Sequence, residues 1–277
     1  MLMMYVHTHW SYRHPYAART WTLADWRGYL QGLTRLGYDG VIFWPLLDCM
    51  PPEPNASDCA FLERTGKVIR MAHDEFGLRF LLTTGPNAIG NDQSGAYAFE
   101  DRPYFLCDRR INPRDPAAVQ EFLAGRRRQL APLASADGML IIDSDPGGWP
   151  GSTNEEFVDL ACAQMAILRE SNPRAMFFYW MWFGWELYNR LWETPAPDAP
   201  KPPEPPSKAA VFTQTLTLIQ QRMPEPWAVT TSFDEHIQVT DELGLTARRL
   251  FNPYGLVELE PAFPLTNFAP ATFRDRF

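Results

Sequence analysis

Short apolar runs alternate with longer amphipathic stretches along this 277-residue chain, and no other feature constrains its fold as strongly. The apolar runs are residues 3–9, 40–47, 79–84, 138–142, 175–183, 227–231 and 256–259. Helical patterns lie between them at residues 23–36, 57–77, 115–134, 154–171, 207–223 and 239–250. Strands that alternate with helices in this way predict βα units and a parallel sheet.

Residues typical of helix starts support these boundaries. Thr22, Ser57 and Thr153 each precede a helical stretch and are followed closely by acidic residues. Ser and Thr are favoured N-caps, and acids in the first turn complement the helix dipole. We therefore predict N-caps at these three positions.

The number of units separates two α/β architectures. Seven predicted strands exceed the usual five or six of a nucleotide-binding sheet, and no GxGxxG motif follows the first strand. The pattern therefore predicts a (β/α)8 TIM barrel, as one domain over residues 1–277. The eighth unit is expected to be missing: either the chain is a fragment, or the first strand and another element close the barrel.

Residues 195–206 interrupt the pattern with a proline-rich stretch. Proline fixes φ and has no amide hydrogen to donate, so the stretch suits neither a helix nor an interior strand. We predict a stiff extended loop within the single domain, after the fifth strand.

Composition excludes several classes of partner. A net charge of -8 argues against nucleic acid, and the basic run at 126–128 is expected to form a solvated helix face. The four cysteines have no metal-ligand spacing, which is typical of a reduced, cytoplasmic protein. The N-terminus has no signal-peptide pattern, and no apolar run is long enough to span a membrane. We expect no cofactor and no metal.

In barrels of this type the functional site lies at the carboxyl ends of the strands. The residues that follow the predicted strands are rich in tryptophans, carboxylates, amides and imidazoles. Aromatic rings stack on the C–H face of a sugar, and polar side chains bind its hydroxyls. We therefore expect a carbohydrate substrate. The predicted substrate-binding residues are His7, His9, Trp10, Trp44, Asn87, Trp149, Trp182, Trp185, Asp234 and Asn267.

The candidate catalytic residues are the carboxylates Asp143 and Asp145 after the fourth strand, and Glu258 and Glu260 on the seventh. Residues i and i+2 of a strand point to the same side, so Asp143 and Asp145 are expected to face one cleft if the strand continues that far. Two acids from different strands suit glycosidic cleavage, in which one carboxyl protonates the leaving oxygen and another acts as base or nucleophile. Alternatively, these aspartates cap a helix or bind backbone amides in a turn.

A metal hydrolase is a second hypothesis. The segment His7-Thr8-His9 resembles the opening motif of the amidohydrolase superfamily, in which HxH places two imidazoles on one face of the first strand. That superfamily takes further histidines from the fifth and sixth strands. Of the three other histidines, only His236 lies near a predicted strand end.

Several segments resemble barrel glycoside hydrolases. Tyr5-Val-His-Thr-His-Trp10 and the Trp21–Trp26 segment are similar to the start of family 20 hexosaminidases. That family has an adjacent Asp-Glu pair where this chain has Asp143-Ser144-Asp145. Residues 143–151 are similar to the Ser-Glu-Gly-x-Pro-Gly segment of family 67 α-glucuronidases, and residues 256–260 to their Leu-Glu-Leu-Gln strand. The second resemblance implies that Asp145 is the acid and Glu258 a base-side carboxylate.

A non-catalytic barrel that binds carbohydrate is the third hypothesis. Aspartate is one methylene shorter than the glutamate of family 67, so an acid at Asp145 reaches less far. A barrel that kept its aromatic rim and lost the acid pair would bind sugars without cleaving them. The fold by itself does not separate these hypotheses.

Overall fold

The computed structural model describes residues 2–7, 17–102, 107–191, 193 and 204–251. The strands within them are β1 (Met3–His7), β2 (Gly40–Trp44), β3 (Arg79–Thr84), β4 (Ala88–Gly90), β5 (Asp108–Arg110), β6 (Gly138–Ile142), β7 (Met176–Trp180), β8 (Trp227–Thr231) and β9 (Arg249–Phe251). The helices of at least six residues are α1 (Leu23–Arg35), α2 (Ala56–Phe76), α3 (Pro116–Leu130), α4 (Asn154–Ser171), α5 (Trp185–Arg190), α6 (Lys208–Arg222) and α7 (Asp234–Glu242). None of these helices has the length and apolar content needed to cross a membrane.

In the described part of the chain, the main sheet has seven strands in the order β1-β2-β3-β6-β7-β8-β9, each parallel to the next. β4 and β5 form a separate antiparallel hairpin between β3 and α3. Because the main strands follow chain order without reversal, right-handed crossovers place the helices on one face of the sheet. A doubly wound sheet instead reverses its direction and carries helices on both faces.

The sheet curls so strongly that its first and fifth strands face each other. The ring centroids of Tyr5 on β1 and Trp180 on β7 are 5.3 Å apart, although β2, β3 and β6 lie between these strands in the sheet. In a flat sheet the same strands would lie about 19 Å apart, at about 4.8 Å per strand. The (β/α)8 barrel prediction is therefore confirmed for the described residues, which supply seven parallel strands.

Strand register assigns side chains to the two faces of this curled sheet. Trp44 aligns with His7, and Trp180 aligns with Ile142, so these residues share the inner face with Tyr5. The ring centroids of Trp44 and Trp180 are 6.0 Å apart. Large aromatic side chains therefore fill the interior of the barrel.

The outer face packs against the helices. Phe43 on β2 makes edge contacts with Trp26 of α1 and with Phe80 on β3, at centroid distances of 5.2 and 5.7 Å. Further along the same face, Tyr179 on β7 packs against Phe157 of α4 at 5.6 Å. The main core thus lies between the sheet and its helices.

Two of the three predicted N-caps are confirmed. Thr22 and Thr153 each form a capping box with the acidic residue three positions on. Ser57 is not a cap, because α2 begins one residue earlier and Asn55 caps it. The Asn55 Oδ1 accepts hydrogen bonds from the Asp58 amide at 2.9 Å and from the Ser57 hydroxyl at 2.8 Å.

The prediction of one helix over residues 239–250 is wrong in its second half. α7 ends at Glu242, Gly244 follows with φ +68°, and Arg249–Phe251 form the seventh strand of the sheet. Arg249 lies in this three-residue edge strand and Arg248 directly precedes it, so the segment does not form an apolar run and the strand was not predicted. The predicted strand at 256–259 lies outside the described residues, as do 195–203 of the proline-rich stretch.

Arg126 lies in the interior, contrary to the expected solvated face. Its side chain is fully buried, and its Nη2 donates to the Asp48 Oδ1 at 2.6 Å and to the Ala88 carbonyl at 2.9 Å. The Nε and Nη1 donate to the side-chain oxygens of Gln164 and Gln129, at 2.9 and 2.8 Å. The guanidinium of α3 therefore connects the segment after β2, the hairpin and α4.

The partner carboxylate, Asp48, is equally buried and accepts from three further donors. Its Oδ2 accepts from the Trp44 indole at 3.0 Å. Its Oδ1 accepts from the Thr84 hydroxyl at 3.0 Å and from the Gly85 amide at 3.1 Å. One buried ion pair thus fixes the carboxyl ends of β2 and β3 relative to each other.

Replacing Arg126 with methionine should destabilise the protein by about 3–5 kcal/mol, because Asp48 would be left as an uncompensated buried charge. Urea unfolding measures this change. Arg127→Met is the matched control, since the neighbouring Arg127 pairs with Glu170 on the surface and its loss should change stability little. Adding Asp48→Asn to Arg126→Met should recover part of the loss. If Arg126→Met and Arg127→Met destabilised the protein equally, the role assigned to the Asp48–Arg126 ion pair would be contradicted.

A second ion pair lies at the amino end of the barrel. The His73 Nε2 is 2.8 Å from the Asp137 Oδ2, which also accepts from the Phe80 amide at 2.7 Å. The hydrogen bond to Asp137 raises the pKa of His73 above 6.5, and partial burial opposes this shift only in part. The pair therefore stabilises the protonated imidazole in the folded state.

Because the pKa of His73 is raised on folding, its contribution to stability should be complete below about pH 6.5 and should fall as pH rises through the folded-state pKa. The difference in unfolding free energy between the wild type and His73→Gln, measured at about pH 5.5 and about pH 9, should shrink at the higher pH. A difference that stays constant or grows with pH would contradict this assignment.

Candidate functional site

Asp143 directly follows β6 and is enclosed by the protein. Its Oδ2 accepts hydrogen bonds from the Tyr179 hydroxyl at 2.8 Å and the Trp182 amide at 3.2 Å. Its Oδ1 accepts from the Phe183 amide and the Ser144 hydroxyl, both at 3.0 Å. Burial raises the pKa of Asp143 although these bonds oppose the shift. Asp143 anchors the turn after β7, and its full burial leaves no face open to a ligand.

Asp145, two residues later, is exposed. Its pKa is nevertheless raised, first by the protein packed around the carboxyl and then by the negative charge of Asp48. An accessible acid with a raised pKa at the end of a barrel strand is a candidate for a functional group. Asp143 and Asp145 do not face one cleft as predicted, because β6 ends at Ile142 and strand alternation stops there.

Asp145 lies in a group of four side chains, Asp108 and Arg110 on β5, Asp145 itself and Tyr188 on α5, which we call the acid cluster. Burial raises the pKa of Asp108, and the charges of Asp48 and Asp145 raise it further. Burial also raises the pKa of Tyr188 to about 12, with contributions from Asp145 and Asp108 that Arg110 opposes. The four groups are therefore close enough to interact electrostatically.

Asp108, Arg110 and Tyr188 are not among the site residues predicted from the sequence. β5 has the sequence Asp-Arg-Arg, so a search for apolar runs does not find this strand. Tyr188 lies on a six-residue helix that is too short to give a clear amphipathic pattern. The three consecutive charged residues at 108–110 are the sequence feature that could have indicated Asp108 and Arg110.

Asn87 is a structural residue, contrary to the prediction of substrate binding. Its buried amide nitrogen donates to the carbonyls of Ile111 and Gly148, at 2.8 and 3.0 Å. Its oxygen accepts from the Gly148 amide at 3.0 Å. These bonds attach the loop after β6 to the segment after β5, and they occupy both ends of the side chain.

Trp185 is also buried rather than open to a sugar. It is 0% exposed, its indole donates to the Ser152 hydroxyl at 3.0 Å, and its ring centroid is 5.6 Å from that of Phe157. Trp44 is 4% exposed in the barrel interior, beside the half-buried His7 at 4.9 Å. Both tryptophans were predicted to bind substrate because they lie near the end of a strand. Position in the sequence does not show whether such a ring faces the interior or lies at the rim.

Three predicted substrate-binding residues have surface open to a ligand: Trp149 and Trp182 are half-buried, and Asp234 is exposed. Trp149 follows Asp145 in the loop after β6, and its amide donates to the Asn189 side chain at 2.9 Å. Trp182 follows β7, and Asp234 is the first residue of α7.

The remaining predicted site residues lie outside the described residues: His9, Trp10, Glu258, Glu260 and Asn267. The convergence of Glu258 and Glu260 with Asp145 therefore stays a prediction. The pairing of His7 with His9 also stays a prediction. Among the residues that the structure describes, no group of three or more His, Cys, Asp or Glu side chains is arranged to hold a metal ion. The four cysteines are free thiols.

No protein-family model and no curated protein matches the chain. The chain is similar to the solved structure of GH5_18 from Streptomyces cattleya in complex with GlcNAc, with 18% identity, a TM-score of 0.45 and coverage of 65% of this chain and 44% of that chain. It is also similar to the GH20 beta-N-acetylhexosaminidase from Streptomyces coelicolor (10% identity, TM-score 0.49, 90% and 47% coverage). Beta-mannanase from the blue mussel Mytilus edulis gives 10% identity, a TM-score of 0.49 and 90% and 77% coverage. The chain spans about half the length of the first two structures.

Because Asp143 is buried and Asp145 is exposed, replacing each with asparagine should affect stability differently. Asp143→Asn would place an amide NH2 group among backbone N–H donors, and we expect a loss of about 2 kcal/mol or more in unfolding free energy. Asp145→Asn serves as the matched control and should change stability little, because that side chain is exposed. Thermal and urea unfolding of both variants measure the difference. A larger loss in Asp145→Asn would reverse the assignment.

Proposed function

We propose that this protein is a glycoside hydrolase-like enzyme that cleaves a glycosidic bond in a carbohydrate, with Asp145 as the general acid. The observation that carries the proposal is the position of Asp145: an exposed carboxyl with a raised pKa, at the carboxyl end of a barrel strand. A general acid must hold its proton near neutral pH, and a raised pKa extends the range over which it does so.

In the proposed reaction the carboxyl of Asp145 gives its proton to the glycosidic oxygen as the bond from that oxygen to the anomeric carbon breaks. A second carboxylate either activates a water, whose hydroxide attacks the anomeric carbon, or attacks that carbon itself before water releases the sugar. The described candidate for this group is Asp108 in the acid cluster. Two neighbouring carboxyls ionise less readily together, which favours one protonated and one charged group. Glu258 and Glu260 remain candidates from the sequence.

The groups around the acids suit a sugar. Arg110 and Tyr188 bring hydrogen-bond donors to the acid cluster. Trp149, Trp182 and Asp234 are retained in the proposal as substrate-binding residues, since each has surface open to a ligand. We propose that the enzyme uses no cofactor, does not bind nucleic acid and is located in the cytoplasm.

Asp145→Asn should reduce turnover of a hydrolysed aryl glycoside by roughly 10² or more, because general acid catalysis commonly contributes about 10²–10⁴. The fall in rate at high pH should follow the ionisation of Asp145 in the wild type and should be absent in the variant. Asp74→Asn is the control, since Asp74 is an exposed carboxylate near the end of α2, at the opposite end of the barrel. An unchanged rate in Asp145→Asn would remove this residue from the mechanism.

A screen of aryl glycosides and uronides, repeated with a chelator, tests the wider proposal. Hydrolysis that persists with the chelator supports the glycosidase, and hydrolysis that the chelator abolishes supports the metal hydrolase suggested by His7 and His9. Sugar binding without turnover supports the non-catalytic carbohydrate-binding barrel. Parallel assays of Asp108→Asn and Glu258→Gln would identify the second carboxylate.

A further inference from the structure

A series of aromatic side chains extends from the acid cluster along the rim of the barrel. Tyr188 of the cluster makes an edge contact with Phe183, with ring centroids 6.0 Å apart. Phe183 adjoins Trp182 in the chain, and Trp182 packs against Phe233 at 5.6 Å. We call Tyr188, Phe183, Trp182 and Phe233 the aromatic row. It joins the turn after β7 to the residue that precedes α7.

Two members of the row have large surfaces open to solvent. Phe183 is 40% exposed and Phe233 is 43% exposed. Exposed phenylalanines are unfavourable in water, and their surfaces are therefore available for burial against a ligand. Phe183 contacts Tyr188 of the acid cluster, so a molecule that extends from Asp145 along the row would reach Phe183 first and Phe233 after it.

The ammonium group of Lys208 lies among these rings. The Lys208 Nζ is 5.8 Å from the Phe183 ring centroid, 5.6 Å from that of Phe233 and 5.5 Å from that of the buried Phe212. It is also 3.9 Å from the Glu235 Oε2. An ammonium at these distances attracts the faces of the rings and orders them. The two exposed phenylalanines are thus held around a common centre.

The residues beneath the exposed rings are closely packed. The buried His236 lies 5.1 Å from Phe233 and 4.8 Å from Phe212, both in edge contact. On the other side, the Phe183 backbone amide is bound by the buried carboxylate of Asp143. The row therefore combines fixed apolar rings with the charged groups of Lys208 and Glu235 at its margin. This combination suits a sugar, whose C–H face stacks on rings while its hydroxyls bind polar groups.

We infer that the aromatic row binds the next sugar unit of an oligosaccharide whose glycosidic bond lies at Asp145. The inference rests on the proposed function and deepens it by naming the substrate class: a chain of at least two sugars. Contact with the rings of Phe183 and Phe233 supplies affinity for the unit beyond the cleaved bond. An aryl monoglycoside contacts the acid cluster and gains less from these rings.

The test uses calorimetric binding in the Asp145→Asn background, which prevents turnover. The probes are gluco-, manno-, xylo- and chito-oligosaccharides of one to five units. We expect at least one series in which the oligosaccharide binds about tenfold more tightly than its monosaccharide. Changing Phe183 and Phe233 to leucine should remove most of this gain, because leucine keeps the apolar volume and lacks a ring face. Leu36→Ala, which removes an exposed apolar side chain at the C-cap of α1, should leave it unchanged.

Kinetics supply the second measurement. In the catalytically intact protein, Phe183→Leu/Phe233→Leu should lower kcat/KM for the oligosaccharide about tenfold more than for an aryl monoglycoside. Retained oligosaccharide preference in that variant would overturn the inference, while the loss of turnover in Asp145→Asn would leave the proposed function standing. If the protein binds and hydrolyses none of these sugars at any length, both the inference and the proposed function are wrong.

Discussion

The buried ion pair between Asp48 and Arg126 is the interaction on which the rim of this barrel depends. Buried charges are tolerated only when their hydrogen-bonding groups are satisfied. Asp48 and Arg126 bond to each other and to six further groups. The segments after β2 and β3, the β4–β5 hairpin, α3 and α4 meet at this pair. The same carboxylate charge raises the pKa of Asp145 and Asp108 at the surface above it. This one interaction therefore supports the packing of the rim and adds to the effect of burial on the pKa of both acids.

Aromatic side chains have two separate roles in this molecule. Tyr5, Trp44 and Trp180 fill the inside of the barrel, where volume and shape determine their contribution. Phe183 and Phe233 lie on the rim with much of their surface in water. Residue type alone does not separate these roles. The direction of a side chain relative to the curled sheet does, because inward rings are shielded by other strands and rim rings are not.

The sequence predicted the architecture well, because the βα alternation is a repeated signal and six of the seven predicted main strands recur at nearly the expected positions. Prediction failed where charge replaced the apolar pattern. β5 and β9 carry arginines and were missed, and Arg126 was expected in water because its burial depends on a carboxylate 78 residues away. In the site, Asp143 and Asp145 were predicted together as catalytic acids, and of the two only Asp145 is exposed. The enclosed states of Asp143, Asn87 and Trp185 depend on tertiary contacts that no local pattern encodes.

Asp143 joins two parts of the rim that are distant in sequence. It is two residues from Asp145, and its carboxylate accepts the amides of Trp182 and Phe183. The separation between the acid and the aromatic row is therefore determined by a short covalent segment and one side chain. In the proposed glycosidase, a change at Asp143 would alter both the position of cleavage along a bound oligosaccharide and the rate of cleavage. In that proposed enzyme, a variant with a different product length would therefore need changes in the turn after β7, whose amides Asp143 binds.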